Sequence, residues 1–327
     1  MTYAFLFLIS FALTYQIRKI AIKRSLVDIP NERSSHTVAT PHGGGIAIAI
    51  TWFLGISYLF YMSDIEPSLY YALLVGSVIS VVSYFDDLHG LSAKLRLVTQ
   101  AFVAVFGLYF LGGLKEIDFM LFSIDNQIFT NTIAFFMIIW FINLYNFLDG
   151  IDGYAASEAI FLGLGGFFLF GDSHFLVLIV AVLGFLVWNW HKAKIFMGDV
   201  GSTLLGYNVA IFTLYYTNHE AQNLWIWIIL FGAFWYDATL TLYRRYLNGE
   251  RLSLAHKKHA YQRLTQCDYS HSRVVILAMM VNLSLFSIAY FVSNMSIALI
   301  LSIALLYGVV KYIDNKKKFE TKYYERE

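Results

Sequence analysis

Five aspartates stand in short polar stretches of a chain that is otherwise poor in charge. Asp86 and Asp87 lie in SYFDDLHGLSAKLR, Asp149 and Asp152 in NLYNFLDGIDGYAAS, and Asp199 in KIFMGDVGS. Carboxylates held close together repel unless a cation or protons intervene. Mg²⁺ meets that need, because it prefers oxygen ligands and keeps some of its waters while binding one or two carboxylates and a substrate phosphate. Basic residues flank the same acids: Lys94 and Arg96 after the first pair, Lys192 and Lys194 before Asp199, and Arg244, Arg245, Lys257 and Lys258 in a later stretch. Acids for a metal beside bases for anions form a phosphate-handling combination. No His or Cys spacing points to zinc instead, and the single cysteine, Cys267, excludes an internal disulfide.

The spacing within these stretches is informative. Asn143, Asn146, Asp149 and Asp152 follow one another at steps of three, which on a continuing helix gives a slowly spiralling polar stripe. Gly150 and Gly153 between them allow a bend or a close backbone approach. FMGDVGS resembles an anion nest, with Gly198 and Gly201 around Asp199 and Ser202 placed to cap a following helix. It is not a Walker loop, and no nucleotide-triphosphatase signature is present. Phe196 is placed either to stack on a base or to anchor at a membrane surface. His42 in HGGGIAI is placed to meet phosphate, and Gly43 to Gly45 either serve that site or open a tightly packed helix.

What must position these loops is a membrane scaffold. The 327 residues are 58% hydrophobic and only 14% charged, against about a quarter charged in soluble domains. The mean hydropathy is +0.61. Apolar stretches near membrane-spanning length cover about 2–17, 45–62, 69–85, 97–113, 132–147, 154–170, 175–190, 203–217, 224–241, 274–292 and 295–311. They predict an all-α, polytopic helical bundle of about eleven spans in a single domain, with a short mixed-charge tail at 312–327 lying against anionic lipid. With the N-terminus outside, every Lys and Arg except Lys115 falls in a connection or tail on the inner side. That bias predicts an N-out, C-in topology and gathers all the acidic loops at the cytoplasmic face.

Taken in order, DIPNERSSHTVATPHGGG, DDLHGLSAKLR, NLYNFLDGIDGYA, KIFMGDVGS and YDATLTLYRRYLNGERLSLAHKKHAYQRL resemble the polyprenyl-phosphate N-acetylhexosamine-1-phosphate transferase family over roughly residues 28–264. The resemblance implies transfer of a sugar 1-phosphate from a UDP-N-acetylhexosamine to undecaprenyl phosphate with release of UMP, as the first membrane step of O-antigen or related polysaccharide synthesis. It implies a bacterial inner-membrane location and Mg²⁺ as cofactor, with Mn²⁺ able to substitute. It makes Asp199 a metal ligand, with Asp86 as a second one. It matches Asp86 and Asp87 to an acid pair that positions or deprotonates the lipid phosphate near Lys94. Asn146, Asp149 and Asp152 correspond to a nucleotide site, with Asn143 on the same stripe, and Phe196 to a uracil-stacking position. His256 and His259 fall in a loop that contacts the donor's diphosphate or sugar, while Lys194, Arg244 and His42 are the bases expected to face its phosphates.

His259-Ala260-Tyr261-Gln262 departs from the histidine-rich version of that loop. It is similar to the branch that accepts 6-deoxy sugars such as N-acetylfucosamine or N-acetylquinovosamine. The expected partners are therefore the two substrates and the bilayer, with a homodimer compatible and nucleic acid not expected. Direct attack by the lipid phosphate and a route through an aspartyl-phosphate both suit these residues. Two rivals from other classes exist. A transporter or channel would need ionisable groups near mid-membrane, where only Glu158 and Asp237 qualify. An intramembrane aspartyl protease would need its acid pair at bilayer depth, whereas YFDD and MGD sit in loops.

Overall fold

The structure is a computed structural model that describes residues 1–30, 38–252, 254 and 256–320. Part of the first polar motif, 31–37, and the last part, 321–327, of the tail expected at 312–327 lie outside the described residues. Thirteen helices make up the described chain: α1 (Thr2–Lys23), α2 (Gly45–Tyr61), α3 (Pro67–His89), α4 (Ala93–Leu111), α5 (Gln127–Phe147), α6 (Tyr154–Phe170), α7 (Ser173–Asn189), α8 (Asp199–His219), α9 (Asn223–Leu230), α10 (Gly232–Leu247), α11 (Ala260–Thr265), α12 (His271–Phe291) and α13 (Met295–Lys316). Two antiparallel pairs of two-residue strands, β1 (Val27–Asp28) with β2 (Thr40–Pro41) and β3 (Ile117–Asp118) with β4 (Ser123–Ile124), tie down loops at the bundle ends.

Each apolar stretch forms a helix, but six of the helices, α1, α3, α4, α5, α12 and α13, are long and apolar enough to cross a membrane. The pair α9 and α10 adds a seventh if it counts as one span, bent by 73°. The expected span 224–241 is therefore a broken one. Helices α2, α6 and α7 are apolar but only 17 residues long. Helix α8 is long enough, yet its sequence is more polar, and its position explains why. It packs along α5 and α3 and against α2, and every residue from Val200 to Leu214 is buried. A helix enclosed by protein needs no lipid-facing surface, so Ser202, Thr203, Asn208 and Thr213 are tolerated among Leu204, Tyr207, Ile211 and Phe212. Outer helices wrap this axis: α7 lies against α1, α2 and α6, and α4 against α3 and α5.

The acidic loops meet at one end of the bundle. There the N-terminus of α8 contacts the ends of α3 and α5 and the start of α2. The opposite end is closed by other contacts, such as Lys115 N–H to Asn218 Oδ1 at 3.0 Å and the Trp225 indole to the Asp118 carbonyl.

Asp237 and the tail take structural roles. Asp237 is buried in α10 and accepts from Thr241 Oγ1 (3.1 Å) and from the backbone N–H of Ala260 (2.8 Å) and Tyr261 (3.4 Å), so it satisfies the open first turn of α11. Its replacement by alanine is expected to cost about 1–2 kcal/mol, the scale of a lost cap. Faster proteolysis between 249 and 260 and a lower unfolding temperature would report it. The tail expected from residue 312 is not a loose end where it is described. Helix α13 continues to Lys316, Asp314 accepts from Arg244 and Arg263, and Arg263 lies 5.6 Å from the Phe319 ring.

Candidate active site

Local sequence explains the placement of each acid. Asp86 and Asp87 occupy the last turn of α3, which stops at Gly90 in a left-handed conformation (φ 65°). Asp149 follows the end of α5 after Leu148, and the turn through Gly150 to Gly153 delivers Asp152 before α6 begins. Gly153 adopts φ 74°, which L side chains rarely reach, so this glycine is a requirement of the turn rather than a helix-packing residue. Asp199 is the first residue of α8, where helix N-terminal amides favour negative charge. The polar stripe therefore does not continue as one helix. Asn143 and Asn146 are on α5, and the two aspartates are carried by the turn beyond it.

Four of these side chains converge. Asn146 Nδ2 donates to Asp199 Oδ1 (2.8 Å) and to Ser202 Oγ (2.9 Å). The Asp199 backbone N–H donates to Asp87 Oδ1 (3.3 Å), while Asp87 Oδ2 is buried with no hydrogen-bond partner among the described residues. Asp149, half-buried beside them, has its carboxyl pushed up to about 7, first by burial and then by the charges of Asp199, Asp87 and Asp152. An orphaned carboxylate oxygen next to mutually repelling acids is a donor set for a hard divalent cation.

Asp86 lies close enough for its charge to act on Asp87 and Asp199, but its oxygens have partners of their own. Its Oδ1 accepts from Leu91 N–H (2.6 Å), and its Oδ2 lies 3.5 Å from Arg96 Nε. Asp87, not Asp86, is thus the acid that presents a free oxygen beside Asp199.

A cleft of about 400 Å³ opens onto the junction between α3, α4 and α5, with Asp86, Arg96, Asn143, Asn146 and Asp199 in its lining. Asn143 and Gln100 exchange amide hydrogen bonds (2.8 and 3.3 Å) across it. The base that lines the cleft is Arg96, whereas Lys94 is exposed on the first turn of α4. A smaller cavity of about 160 Å³ on the other side of α3 holds His42, Arg24 and Asp87 in its wall. Phe196 is fixed through its backbone: its N–H donates to the Pro41 carbonyl (2.8 Å) and its carbonyl accepts from Gly44 N–H (2.9 Å). The HGGG stretch resolves as close packing. A Cβ on Gly45 would lie 2.3 Å from the backbone nitrogen of Gly201, so only glycine lets α2 meet the start of α8.

Other bases expected at the site are engaged elsewhere. Arg244 makes a bidentate pair with Asp314 (3.1 and 2.9 Å), facing the tail. The Lys194 ammonium lies over Trp188 (5.3 Å), and the Lys194 carbonyl accepts from Arg18 Nε (3.1 Å), toward α1. His259 is buried, with Nδ1 3.7 Å from Asp237 Oδ1. His256 is driven down to about 3 by burial and by the neighbouring His259 charge, so it is a neutral imidazole whose Nδ1 accepts from Lys258 N–H (3.2 Å). Arg245, by contrast, is a residue whose importance sequence reasoning understated. Its buried guanidinium binds Glu250 (3.0 Å) and the carbonyls of Arg251, Leu252 and Leu254, holding the loop that borders the cleft.

Asp152 has a separate set of partners, although its charge still reaches Asp149. Burial alone would push its carboxyl up, but hydrogen bonds from His271, the Ala193 N–H and His191, together with the His271 charge, bring it below the usual carboxylate range. Neither histidine stood out in the sequence, because positions 152, 191 and 271 share no motif.

This geometry agrees with what the chain is similar to. A probable undecaprenyl-phosphate N-acetylglucosaminyl 1-phosphate transferase of Bacillus subtilis (strain 168) is 31% identical, over 95% of this chain and 91% of that protein. The chain belongs to the polyprenyl-phosphate N-acetylhexosamine-1-phosphate transferase family. Residues 69–217, which carry the acids from Asp86 to Asp199, match glycosyl transferase family 4. Among further members of this transferase family, an undecaprenyl-phosphate alpha-N-acetylglucosaminyl 1-phosphate transferase of Salmonella typhi is 29% identical, over 83% of this chain and 78% of that protein. A decaprenyl-phosphate N-acetylglucosaminephosphotransferase of Mycobacterium tuberculosis (strain ATCC 25618 / H37Rv) is 29% identical, over 83% and 76%. Family membership also disfavours an ion path, and the two mid-chain acids have local partners: Asp237 caps α11, and Glu158 accepts from Asn282 (2.5 Å).

Proposed function

We propose that this chain transfers an N-acetylhexosamine 1-phosphate from its UDP-sugar to a polyprenyl phosphate, with undecaprenyl phosphate the expected acceptor, and releases UMP. An oxygen of the lipid phosphate attacks the sugar-bearing phosphorus. The bond from that phosphorus to the bridging oxygen breaks, and UMP departs with the electron pair. The observation that carries this reading is the convergence of Asp87, Asn146, Asp149 and Asp199, with the Asp87 Oδ2 oxygen unpartnered among the described residues and with Asn146 and Asp199 lining the cleft.

Bringing two anions together requires offsetting charge. Asp199 and Asp87 would hold Mg²⁺ or Mn²⁺, which supplies charge neutralisation for the phosphates and the departing UMP. Asn146 fixes the Asp199 carboxylate at 2.8 Å, and Arg96 offers a guanidinium to an incoming phosphate from the cleft wall. Asp149, its carboxyl pushed up to about 7, is placed to exchange a proton near neutral pH. Direct attack is favoured over an aspartyl-phosphate route because the acceptor phosphate is already a nucleophile. The orientation proposed puts this face in the cytoplasm of the bacterial inner membrane, as the start of a surface polysaccharide such as O-antigen.

The relatives' names point to N-acetylglucosamine as the first sugar to test. A 6-deoxy preference through Ala260, Tyr261 and Gln262 would have to act through packing, since all three are buried and Tyr261 donates to the Phe147 carbonyl (3.2 Å). Purified protein supplied with undecaprenyl phosphate, Mg²⁺ and UDP-GlcNAc, UDP-FucNAc or UDP-QuiNAc is expected to release UMP with at least one donor. No UMP with any of them would overturn the reading.

A pH dependence follows from Asp149. Its carboxyl and that of Asp87 are both pushed up to about 7 by burial and by the neighbouring acids, so below that pH a cation must displace protons to bind, and above it the carboxylates are already ionised. The Mg²⁺ concentration giving half-maximal rate is expected to rise by at least about tenfold per pH unit as pH falls from 7 toward 5, as one or both of these protons are displaced. In Asp149→Asn the slope should become shallower, leaving the part that Asp87 contributes.

A further inference from the structure

Asp152, His191 and His271 come from the α5–α6 turn, the α7–α8 loop and the first residue of α12, and one ligand atom from each lies within 4.8 Å of the others. His271 Nδ1 is 3.1 Å and His191 Nδ1 3.3 Å from the same oxygen, Asp152 Oδ2. We propose that these three residues form a binding site for a zinc-class divalent metal, separate from the Asp87–Asp199 junction.

The chemistry differs from that of the junction. Two imidazoles and one carboxylate suit zinc, cobalt or nickel, whereas magnesium prefers oxygen alone. With zinc–nitrogen bonds of 2.0–2.1 Å and zinc–oxygen bonds of 2.0–2.2 Å, neighbouring tetrahedral ligands sit about 3.3–3.5 Å apart. Two of the three edges, 3.3 and 3.1 Å, are at or just under that length, and the third needs closing by at most about 1.5 Å.

The hydrogen bonds around Asp152 show how a metal would fit. The Asp152 backbone N–H faces His271 Nδ1 (3.3 Å), and that nitrogen also faces Asp152 Oδ2 at 3.1 Å. One neutral imidazole nitrogen cannot both accept from the amide and donate to the carboxylate. Without a cation the His271 N–H donates to Asp152 Oδ2, the hydrogen bond that helps to lower the Asp152 carboxyl, and a metal would take the place of that proton between the two atoms. The Ala193 N–H donates to Asp152 Oδ2 (3.2 Å) and orients the carboxylate from outside the triad, as second-sphere partners do in metal sites. The Asp152 and His271 side chains are mostly buried at 8% and 12% exposure, while His191 at 31% opens the site to solvent, from which a fourth ligand would come. Bound metal would clasp three segments that are far apart in sequence and so stabilise this face of the protein.

The test uses full-length protein in lipid nanodiscs, stripped with chelator, held in excess Mg²⁺ and titrated with Co²⁺. About one equivalent is expected to bind with the visible absorption of four-coordinate cobalt, and Zn²⁺ should displace it and raise the unfolding temperature. His191→Ala and His271→Ala should each weaken binding by at least about tenfold, while Asp199→Asn should leave it intact. His271→Gln provides a second variant of similar volume should the alanine form fold poorly. No cobalt bound to the wild type, unchanged binding in the histidine variants, or equal loss in Asp199→Asn would overturn the proposal. The last outcome would place the cobalt at the acidic junction.

Discussion

Replacing Asp199 by asparagine is expected to reduce UMP release by about 10³-fold or more, because a metal ligand worth several kcal/mol of transition-state stabilisation is removed. The substitution is nearly isosteric. The side-chain oxygen that remains can still accept from Asn146 Nδ2, which in the wild type lies 2.8 Å from the Asp199 carboxylate. The change also removes one of the charges that raise the Asp149 carboxyl, so the cation-free protein should be no less stable than wild type. Loss of turnover with an unchanged or higher unfolding temperature is therefore the expected pair of results. Turnover within about tenfold of wild type would show that the junction does not hold the cation, since one tenfold step accounts for only about 1.4 kcal/mol.

Gly45→Ala tests the scaffold in the same way without touching any proposed ligand. Its Cβ would meet Gly201 N at 2.3 Å and Gly201 Cα at 2.5 Å, both backbone atoms in the first turn of α8. Neither can rotate aside, so α2 and α8 must separate near Asp199. Overpacking of this kind costs about 1–3 kcal/mol. A displacement near 1 Å in a positioned site is enough to lower turnover about 10²-fold. The expected variant folds with reduced thermal stability and shows that loss in kcat, even at saturating Mg²⁺. Wild-type kcat would mean that the position of the α8 N-terminus is not critical to the chemistry.

The two variants bracket what was legible in the sequence. Acidic loops, apolar helices and the link between them could be read directly, since a charged loop ending an apolar segment is a local pattern. Side-chain direction could not, because it depends on partners distant in sequence. Asp86 and Asp87 are adjacent, yet one is committed to Leu91 and Arg96 while the other reaches the Asp199 backbone. Arg244 reads as a phosphate ligand until Asp314, seventy positions later, is seen to take both its guanidinium nitrogens. His191 and His271 carried no signal at all, since only the folded chain brings them to Asp152. The break between α9 and α10 was hidden for a related reason: the two halves together are apolar enough to read as one span, and nothing in that composition marks the 73° bend. The polar content of α8 was a usable signal, because it marks a helix that faces no lipid.

The most direct measurement of the central claim follows the phosphorus that bears the sugar. UDP-N-acetylglucosamine, or whichever panel donor is turned over, carries a radioactive label in that phosphate and is incubated with the protein, Mg²⁺ and undecaprenyl phosphate. The label is expected to move into the lipid fraction together with the sugar while unlabelled UMP is released, and Asp199→Asn should leave it in the donor. Label retained in released UDP while the sugar alone reaches the lipid would contradict sugar-1-phosphate transfer.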